Sequence, residues 1–244
     1  MDCFKVITAM GKIGLISDAH GNGSAFEIAI NALRNAGVDC IYYLGDAIGY
    51  IPSLSVLEQI RAYDGFIHCI KGNHEKMFLS SSVDDRLENV YLLSEIREEY
   101  SKRFDGFLDT WVDSISIKNE SLSALMIHGS PNDYSNGYVY PDTDLSAFYC
   151  NGYQHVFMGH THRPFIRVSN GIHYINVGSC GLPRDHGCYG SAAIFDAISG
   201  ESNIIRFDIK KTLKQIVKKY PNIHHSVKNL FKRKSDSFYG EIVC

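Results

Sequence analysis

Five short apolar runs in this 244-residue sequence each end at a small cluster of polar residues. The clusters are Asp18 and His20, Asp46, Asn73 and His74, His128, and His160 and His162. A short apolar run bounded by turn residues is typical of a buried strand. In an open α/β sheet, polar side chains beyond the carboxyl ends of the strands meet at one ligand site. The sequence therefore predicts a sheet with one shared polar site at its edge.

Helical segments separate the first three of these runs. The strands lie at 12–17, at 39–46 and within 65–75, and the helices lie at 23–37 and 52–63. Strands that alternate with helices indicate βαβ units and a largely parallel sheet. At the start of the first helix, Ser24 and Glu27 have the spacing of a capping box.

The second half of the sequence is rich in short strand-like segments that end at turn residues. They are SISIK, LSALMIHG, HVFMGHTH, IHYINVGS, SAAIFDA and SNIIRFDI. Such segments favour antiparallel hairpins, and we predict that they form a second sheet. The fold class is therefore α/β, a two-sheet αββα sandwich. We expect residues 1–244 to form one domain, with a polar helical insertion at about 76–110.

The charge of the chain is unevenly distributed. The net charge is −3, but residues 206–234 hold ten Lys or Arg against one acidic residue. Apolar residues at helical spacing in this segment, interrupted at Pro221, predict two amphipathic helices with solvent-exposed lysines. The alternatives are a basic surface for nucleic acid, and a contact with a membrane surface or a second subunit. The sequence leaves the oligomeric state open.

Cysteine usage and hydropathy indicate where the protein works. The seven cysteines are odd in number and include no CxxC pair, which favours a reducing compartment over a disulfide framework or a structural zinc site. The N-terminus lacks the features of a signal peptide, and no run approaches the roughly 18 apolar residues of a membrane span. We therefore expect a cytoplasmic protein without a membrane span.

The residue types in the five clusters favour a metal site. Aspartate, asparagine and histidine without thiolate suit divalent transition metals such as Mn, Fe, Zn, Co or Ni. One tetrahedral site uses about four ligands, so seven candidates suggest two ions. A carboxylate such as Asp46 can bridge two ions about 3.5–4 Å apart. In extended backbone, His160 and His162 would point to the same side of the chain.

These blocks, D-x-H, G-D, G-N-H-E, H-G and G-H-x-H in this order, resemble those of the calcineurin-like metallophosphoesterase superfamily. The resemblance runs from about residue 12 to residue 195. The wider phrases SDAHGN, GHTHRPF and INVGSCGLPRD resemble its short bacterial branch. The resemblance implies the same two-sheet sandwich and a metal-dependent phosphoric ester hydrolase.

The resemblance also implies a role for each residue. Asp18, His20 and His162 would hold the first metal. Asn73, His128 and His160 would hold the second, and Asp46 would bridge both. His74 would face the phosphate and assist the leaving group, with Asn73 also near the substrate. A hydroxide that bridges the two ions would attack phosphorus, and Mn²⁺ is the ion expected to serve best in vitro.

One block departs from the superfamily's protein phosphatases, which carry G-D-x-x-D-R-G. In GDAIGYIP, Gly49 replaces the Asp that would orient the catalytic histidine, and Tyr50 replaces the phosphate-binding Arg. A protein phosphatase is therefore disfavoured. Arg163 or Arg184 could supply the anion contact, and we favour Arg184, for which a salt bridge with Asp185 is the structural alternative. Tyr50 and the Tyr-rich segment 132–142 could line a substrate cleft.

The sequence thus predicts a dinuclear-metal phosphoesterase that hydrolyses a small or nucleotide-like phosphodiester or phosphomonoester. Hydrolysis of dinucleoside polyphosphates and a nuclease activity that uses segment 206–234 are the alternatives. A non-catalytic scaffold of the same fold ranks lower, because such proteins tend to lose metal ligands and no ligand of the set is missing here.

Overall fold

The computed structural model describes residues 11–81, 84–119, 122–148, 150, 152–235 and 237–243. The strands are β1 (Lys12–Ile16), β2 (Cys40–Tyr43), β3 (Ile67–Cys69), β4 (Ile115–Lys118), β5 (Ser123–Met126), β6 (His155–Met158), β7 (Phe165–Ser169), β8 (Ile172–Asn176), β9 (Tyr189–Asp196), β10 (Ser202–Asp208) and β11 (Glu241–Ile242). The α-helices are α1 (Gly23–Asn35), α2 (Ser55–Arg61), α3 (Asn73–Ser80), α4 (Asp85–Tyr91), α5 (Arg97–Arg103), α6 (Lys210–Lys219) and α7 (His225–Leu230). Short 3₁₀ helices occupy Ser94–Ile96, Leu108–Thr110 and Leu145–Ala147.

The strands form two sheets. The first has the order β11-β10-β9-β1-β2-β3, with β1, β2 and β3 parallel, as the alternation of strands and helices predicts. The second has the order β4-β5-β6-β8-β7, with β5, β6 and β8 parallel and an antiparallel strand at each edge. The carboxyl ends of β1, β2, β3, β5 and β6 each lead into one of the five polar clusters.

The prediction that all strands of the second half form the second sheet is wrong. SAAIFDA and SNIIRFDI lie in β9 and β10, which extend the first sheet beside β1. β9 is largely buried, as expected for a strand inside a sheet that is covered on both faces. The second sheet is also more parallel than predicted, and β7 was not among the predicted strands.

The main core lies between the two sheets. On β1, Ile13 and Leu15 face the second sheet, where they join Phe157 of β6, while Ile16 faces the opposite way and packs with the helices. This alternation is the period of two expected of a strand. Helices α1, α2, α6 and α7 cover the outer face of the first sheet. A 3₁₀ helix and irregular chain around Leu145 cover the outer face of the second. The predicted two-sheet sandwich with flanking helices is confirmed.

Helix α1 begins two residues earlier than a capping box at Ser24 requires. The side chain of Asn22 caps it, because its Oδ1 accepts a hydrogen bond from the backbone N–H of Ala25 at 3.1 Å. The Nδ2 of Asn22 donates to the carbonyl oxygen of Gly181 at 2.9 Å, which ties the helix to the loop after β8. The predicted capping box of Ser24 and Glu27 is therefore wrong.

The basic C-terminal segment contains the two predicted amphipathic helices, α6 and α7. Leu213, Ile216 and Val227 are buried against the first sheet's helical layer, and the lysines of α6 are exposed. Arg206 lies in β10 instead and is fully buried. Across the residues that the structure describes, none of the helices has the length and apolar character needed to cross a lipid bilayer. The division into one domain with a helical insertion stays a prediction, although α3, α4 and α5 occupy that part of the chain.

Candidate metal centre

The polar residues that follow the strands converge in one buried centre. Seven of them have at most 6% of their surface exposed: Asp18, His20, Asp46, His74, His128, His160 and His162. Asn73, at the start of α3, is half-buried beside them. Their ligand atoms form three groups, each within 4.8 Å, namely Asp18–His20–His162, His20–Asp46–His74 and Asp46–His128–His160. Residues from both sheets therefore meet at one place.

The backbone of the centre is left-handed at five of these residues. The φ angles are 58° at Asp18, 48° at His20, 58° at Asp46, 64° at His160 and 57° at His162. For residues other than glycine this region is disfavoured by about 1–3 kcal/mol each, and such residues concentrate at functional sites. The expectation that extended backbone directs His160 and His162 to one side is therefore wrong. Two left-handed turns direct them instead.

Three lone pairs converge in the first part of the centre. Nδ1 of His20 donates to the carbonyl oxygen of Ile48 at 3.1 Å, and Nδ1 of His162 donates to that of Leu182 at 2.6 Å. In a neutral imidazole the other nitrogen, Nε2, is then an acceptor. The two Nε2 atoms lie only 3.1 Å apart, and Asp18 Oδ1 lies 3.2 Å from that of His162. Acceptors at such distances repel one another unless a cation lies among them.

The second part repeats this arrangement around His128. Its Nδ1 donates to the carbonyl oxygen of Leu44 at 2.7 Å, which leaves Nε2 facing Asn73 Oδ1 at 3.1 Å and Asp46 Oδ2 at 3.3 Å. Nε2 of His160 is buried nearby without a hydrogen-bond partner. Backbone carbonyls that orient imidazole ligands in this way are typical of metal sites.

Asp46 lies between the two parts. Its Oδ2 is 3.3 Å from His128 Nε2 and 3.7 Å from His20 Nε2, and its Oδ1 accepts from the backbone N–H of His74 at 3.0 Å. One oxygen of the carboxylate therefore faces histidines of both parts, while a helix N-terminus holds the other. Such a carboxylate can serve two cations at once.

The electrostatics of the centre favour cations. Burial raises the pKa of Asp46, but the rings of His128 and His74 outweigh burial and hold that pKa well below its usual range. Burial lowers the pKa of His160 to about 4, which leaves its ring neutral. At His128 burial acts in the same direction, but the Asp46 carboxylate overcomes it and raises the pKa to about 10. The centre thus combines ionised carboxylates with a neutral ring at His160, and the Asp46 carboxylate favours a positive charge at His128.

His74 lies at the edge of the centre, with Nε2 4.0 Å from Asp46 Oδ2. Its Nδ1 is buried without a hydrogen-bond partner, and burial lowers its pKa to about 3. Gly49 lies against this nitrogen, because a Cβ at that position would be 2.0 Å from Nδ1. Gly49 also has a φ of 90°. No side chain fits between residue 49 and the His74 ring, so the carboxylate expected from the protein phosphatase pattern has no place here.

Glu75 is a site residue that the sequence analysis does not single out. Its buried carboxylate accepts three backbone hydrogen bonds at 2.8 Å, from the N–H groups of Asp46, Ala47 and Gly72. Burial and the charge of Asp46 raise the pKa of Glu75 to about 7. The carboxylate joins the turn that carries Asp46 to the start of α3. Its position three residues after the N-cap, where capping glutamates occur, is the available sequence signal.

Arg184, the residue predicted to contact the substrate, lies beside Tyr50. Its Nη2 donates to the hydroxyl of Tyr50 at 2.9 Å. The alternative of a salt bridge with Asp185 is wrong, because Asp185 makes a two-point ion pair with buried Arg206 at 2.6 and 3.0 Å. After burial, the charge of Arg184 is the largest cause that lowers the pKa of His162 to about 4. The guanidinium is held by Tyr50, whose ring contacts His20 and His74 of the centre.

Three tyrosines surround the centre. Tyr50 and Tyr91 contact the ring of His74 at centroid distances of 5.0 and 4.5 Å, and Tyr138 contacts His160 at 4.3 Å. Tyr50 and Tyr138 belong to segments that the sequence predicts to line a cleft. Tyr91 ends a polar helix that carries no motif, and the sequence gives no signal for it.

Comparison with known proteins agrees with this geometry. Residues 11–200 match the calcineurin-like phosphoesterase superfamily domain. An uncharacterised protein of Methanocaldococcus jannaschii is 29% identical over 233 residues, which cover 84% of this chain and 92% of that protein. The crystal structure of a hypothetical protein from Pyrococcus horikoshii superposes with a TM-score of 0.78 at 18% identity, over 93% of this chain and 99% of that one. A metallophosphoesterase from Sphaerobacter thermophilus superposes with a TM-score of 0.67 at 23% identity, over 91% and 98%.

The two solved structures share the fold of this chain. The family match spans most of the sequence and contains the five blocks from which the resemblance was drawn. The chain therefore belongs to the calcineurin-like phosphoesterase superfamily.

Proposed function

We propose that this protein hydrolyses phosphate esters, a phosphodiester or a phosphomonoester, at a pair of divalent metal ions. The observation that carries the proposal is that hydrogen-bond acceptor atoms face one another at short distance. His20 Nε2 and His162 Nε2 are 3.1 Å apart although both rings donate through Nδ1. Burying such a group without a compensating cation would cost several kcal/mol.

The residues fit two cations. We assign the first to Asp18, His20 and His162, and the second to Asn73, His128 and His160, with Asp46 shared. The buried acceptors Asp18 Oδ1 and His160 Nε2, which have no hydrogen-bond partner, support this assignment. Nitrogen and oxygen donors without thiolate suit Mn, Fe, Zn, Ni or Co, and we expect Mn²⁺ to support activity in vitro.

When bound, such a pair of ions activates a water molecule and neutralises charge on the phosphate oxygens. The protein's own groups would position the ester. His74, beside Asp46, would donate a hydrogen bond to the leaving oxygen. Arg184, held by the Tyr50 hydroxyl, would attract the phosphate, and the amide of Asn73 would contact one of its oxygens.

The test is a comparison of ligand variants in protein reconstituted with Mn²⁺. Turnover of bis(p-nitrophenyl) phosphate and p-nitrophenyl phosphate is measured together with the metal content of each sample. We expect Asn73→Ala and His162→Ala to lose turnover by more than about a hundredfold, because removing even an outer-shell partner costs 10–100-fold.

His173→Ala is the matched control. His173 lies on β8, stacked on His155 at a ring distance of 4.9 Å and outside the centre. It should keep wild-type turnover and metal content. If Asn73→Ala and His162→Ala both keep two ions and wild-type rates, the ligand assignment is wrong.

A further inference from the structure

The mouth of the metal centre carries aromatic surface that the core does not need. Tyr138 has 54% of its surface exposed, although one side of its ring packs on His160 at 4.3 Å. Tyr140, with 39% exposed, stacks on Tyr138 at 5.9 Å with an angle of 12° between the rings. Large apolar rings in this position contribute little to folding, and they leave a flat π surface beside the centre.

The segment that carries Tyr138 is anchored to the metal centre. The backbone N–H groups of His128 and Gly129 both donate to the carbonyl oxygen of Tyr134, at 3.1 and 2.7 Å. The N–H of Gly137 donates to the carbonyl oxygen of Asp133 at 3.1 Å. The turn is therefore fixed to the end of β5, and the position of Tyr138 relative to His128 is set before any ligand arrives.

A second aromatic group lies on the His74 side of the centre. Tyr91 contacts His74 at 4.5 Å and makes an edge-to-face contact with Tyr50 at 5.1 Å. Tyr91 and Tyr138 therefore contact two different histidines of the centre, His74 and His160, and Arg184 lies beside Tyr50.

We propose that Tyr138, backed by Tyr140, is a stacking platform for a planar ring of the substrate, so that the substrate is a phosphate ester of a nucleoside. The inference rests on the proposed function, which places the phosphate beside His74, Arg184 and Asn73 at the two proposed cations, one of them held by His160. A nucleoside attached to that phosphate would extend from the centre toward its rim, where the exposed ring of Tyr138 lies. Base–aromatic stacking tolerates any base, and it raises affinity roughly five- to 150-fold per base.

The test compares two ligands that differ only in the base, AMP and ribose 5-phosphate. Their Kd values for the Mn²⁺-loaded protein are measured by calorimetry. If either compound is hydrolysed, the kcat/KM values for the two compounds are compared instead. We expect the wild-type protein to prefer AMP by about tenfold or more. Tyr138→Leu should abolish most of that preference, and Tyr138→Phe should keep it.

Tyr153→Leu is the matched control. Tyr153 is also partly exposed, but its ring lies against Lys118 of β4 and its hydroxyl hydrogen-bonds that of Ser116, outside the centre. It should keep the wild-type preference. Equal affinity of the wild-type protein for the two ligands, binding of neither ligand, or an undiminished preference in Tyr138→Leu would overturn the inference.

The two proposals fail in different ways. If bis(p-nitrophenyl) phosphate is hydrolysed but the base makes no difference, only the stacking platform is wrong. If AMP is preferred through Tyr138 but no ester is hydrolysed, the proposed function is wrong, and the platform serves nucleotide binding alone.

Discussion

The metal centre and the basic C-terminal helices place charged and polar residues in opposite environments. In the centre, carboxylates and imidazoles are almost completely buried, and their acceptor atoms face one another. On α6, the lysines are exposed to solvent, and Leu213 and Ile216 occupy the buried stripe. The sequence suggests a function for both regions, for the centre through its motifs and for the C-terminal segment through its positive charge.

Of these two sequence signals, the buried cluster is the one that folding alone does not explain. Burying a carboxylate costs free energy unless a partner compensates for it, and the proposed cations would supply that compensation in the centre. Exposed lysines on an amphipathic helix remain hydrated and need no ligand. Substitutions in the centre should therefore have large effects on activity, and substitutions on α6 should have small ones.

Asp46→Asn should have the largest effect. Its Oδ2 faces histidines of both parts of the centre, so loss of its charge should weaken both proposed cations. We expect kcat/KM for bis(p-nitrophenyl) phosphate to fall by more than about a thousandfold. Asp208→Asn makes the same chemical change at the exposed start of α6 and should leave kcat/KM unchanged. Comparable losses of kcat/KM in Asp46→Asn and Asp208→Asn would show that activity does not depend on the centre more than on α6.

Gly49→Ala should have the next largest effect. The added Cβ would lie 2.0 Å from His74 Nδ1, so the ring must move. Displacement of a catalytic group by about 1 Å can cost a hundredfold in kcat, and we expect a loss of this order with metal content unchanged. Gly37→Ala is the control, because its φ is also positive, at 71°, but a Cβ there meets no atom within 4 Å. Wild-type kcat in Gly49→Ala would show that His74 takes no part in the reaction.

Glu75→Gln should weaken metal binding without removing a ligand. The carboxylate accepts backbone bonds through both of its oxygens, whereas an amide offers one oxygen and places an NH₂ group against an N–H. We expect Mn²⁺ affinity, measured by calorimetry, to fall about 10- to 100-fold. Glu58→Gln, on α2, removes an exposed carboxylate that pairs with Arg103 and should not change Mn²⁺ affinity. An unchanged affinity in Glu75→Gln would mean that the turn of Asp46 holds its shape without it.

The double substitution Lys214→Glu and Lys218→Glu should have the smallest effect. Both lysines are exposed on α6, so stability should change by no more than about 0.5 kcal/mol, and turnover of small esters should stay at the wild-type level. The affinity for single-stranded DNA is measured over a series of salt concentrations. The slope of log K against log salt concentration is compared between the variant and the wild-type protein. A slope that is smaller by about 0.7 per substituted lysine would instead favour the nuclease alternative.

Local patterns predicted the parts of the fold that local interactions build. Alternating apolar runs and helices identify the parallel strands β1, β2 and β3, because each unit is continuous in the sequence. The pairing of β9 with β1 could not be predicted in this way. This pairing joins residues far apart in the chain. The local sequence patterns of β9 and β10 indicate strands but do not specify which sheet the strands join. The cap of α1 was misplaced for a similar reason, since Gly181 holds Asn22 from a distant loop.

The identity of the donor atoms and their position after strands could be predicted from the amino-acid sequence, because strand ends and residue chemistry are local properties. Which lone pairs face each other depends on the tertiary fold. His20 and His162 are 142 positions apart, and each ring is oriented by a carbonyl from another loop. The left-handed turns at Asp18, Asp46 and His160 depend on long-range contacts too, because isolated residues of these types disfavour that conformation. Their backbone N–H groups donate to the Gly45 carbonyl, the Glu75 carboxylate and the Asp18 carboxylate, respectively.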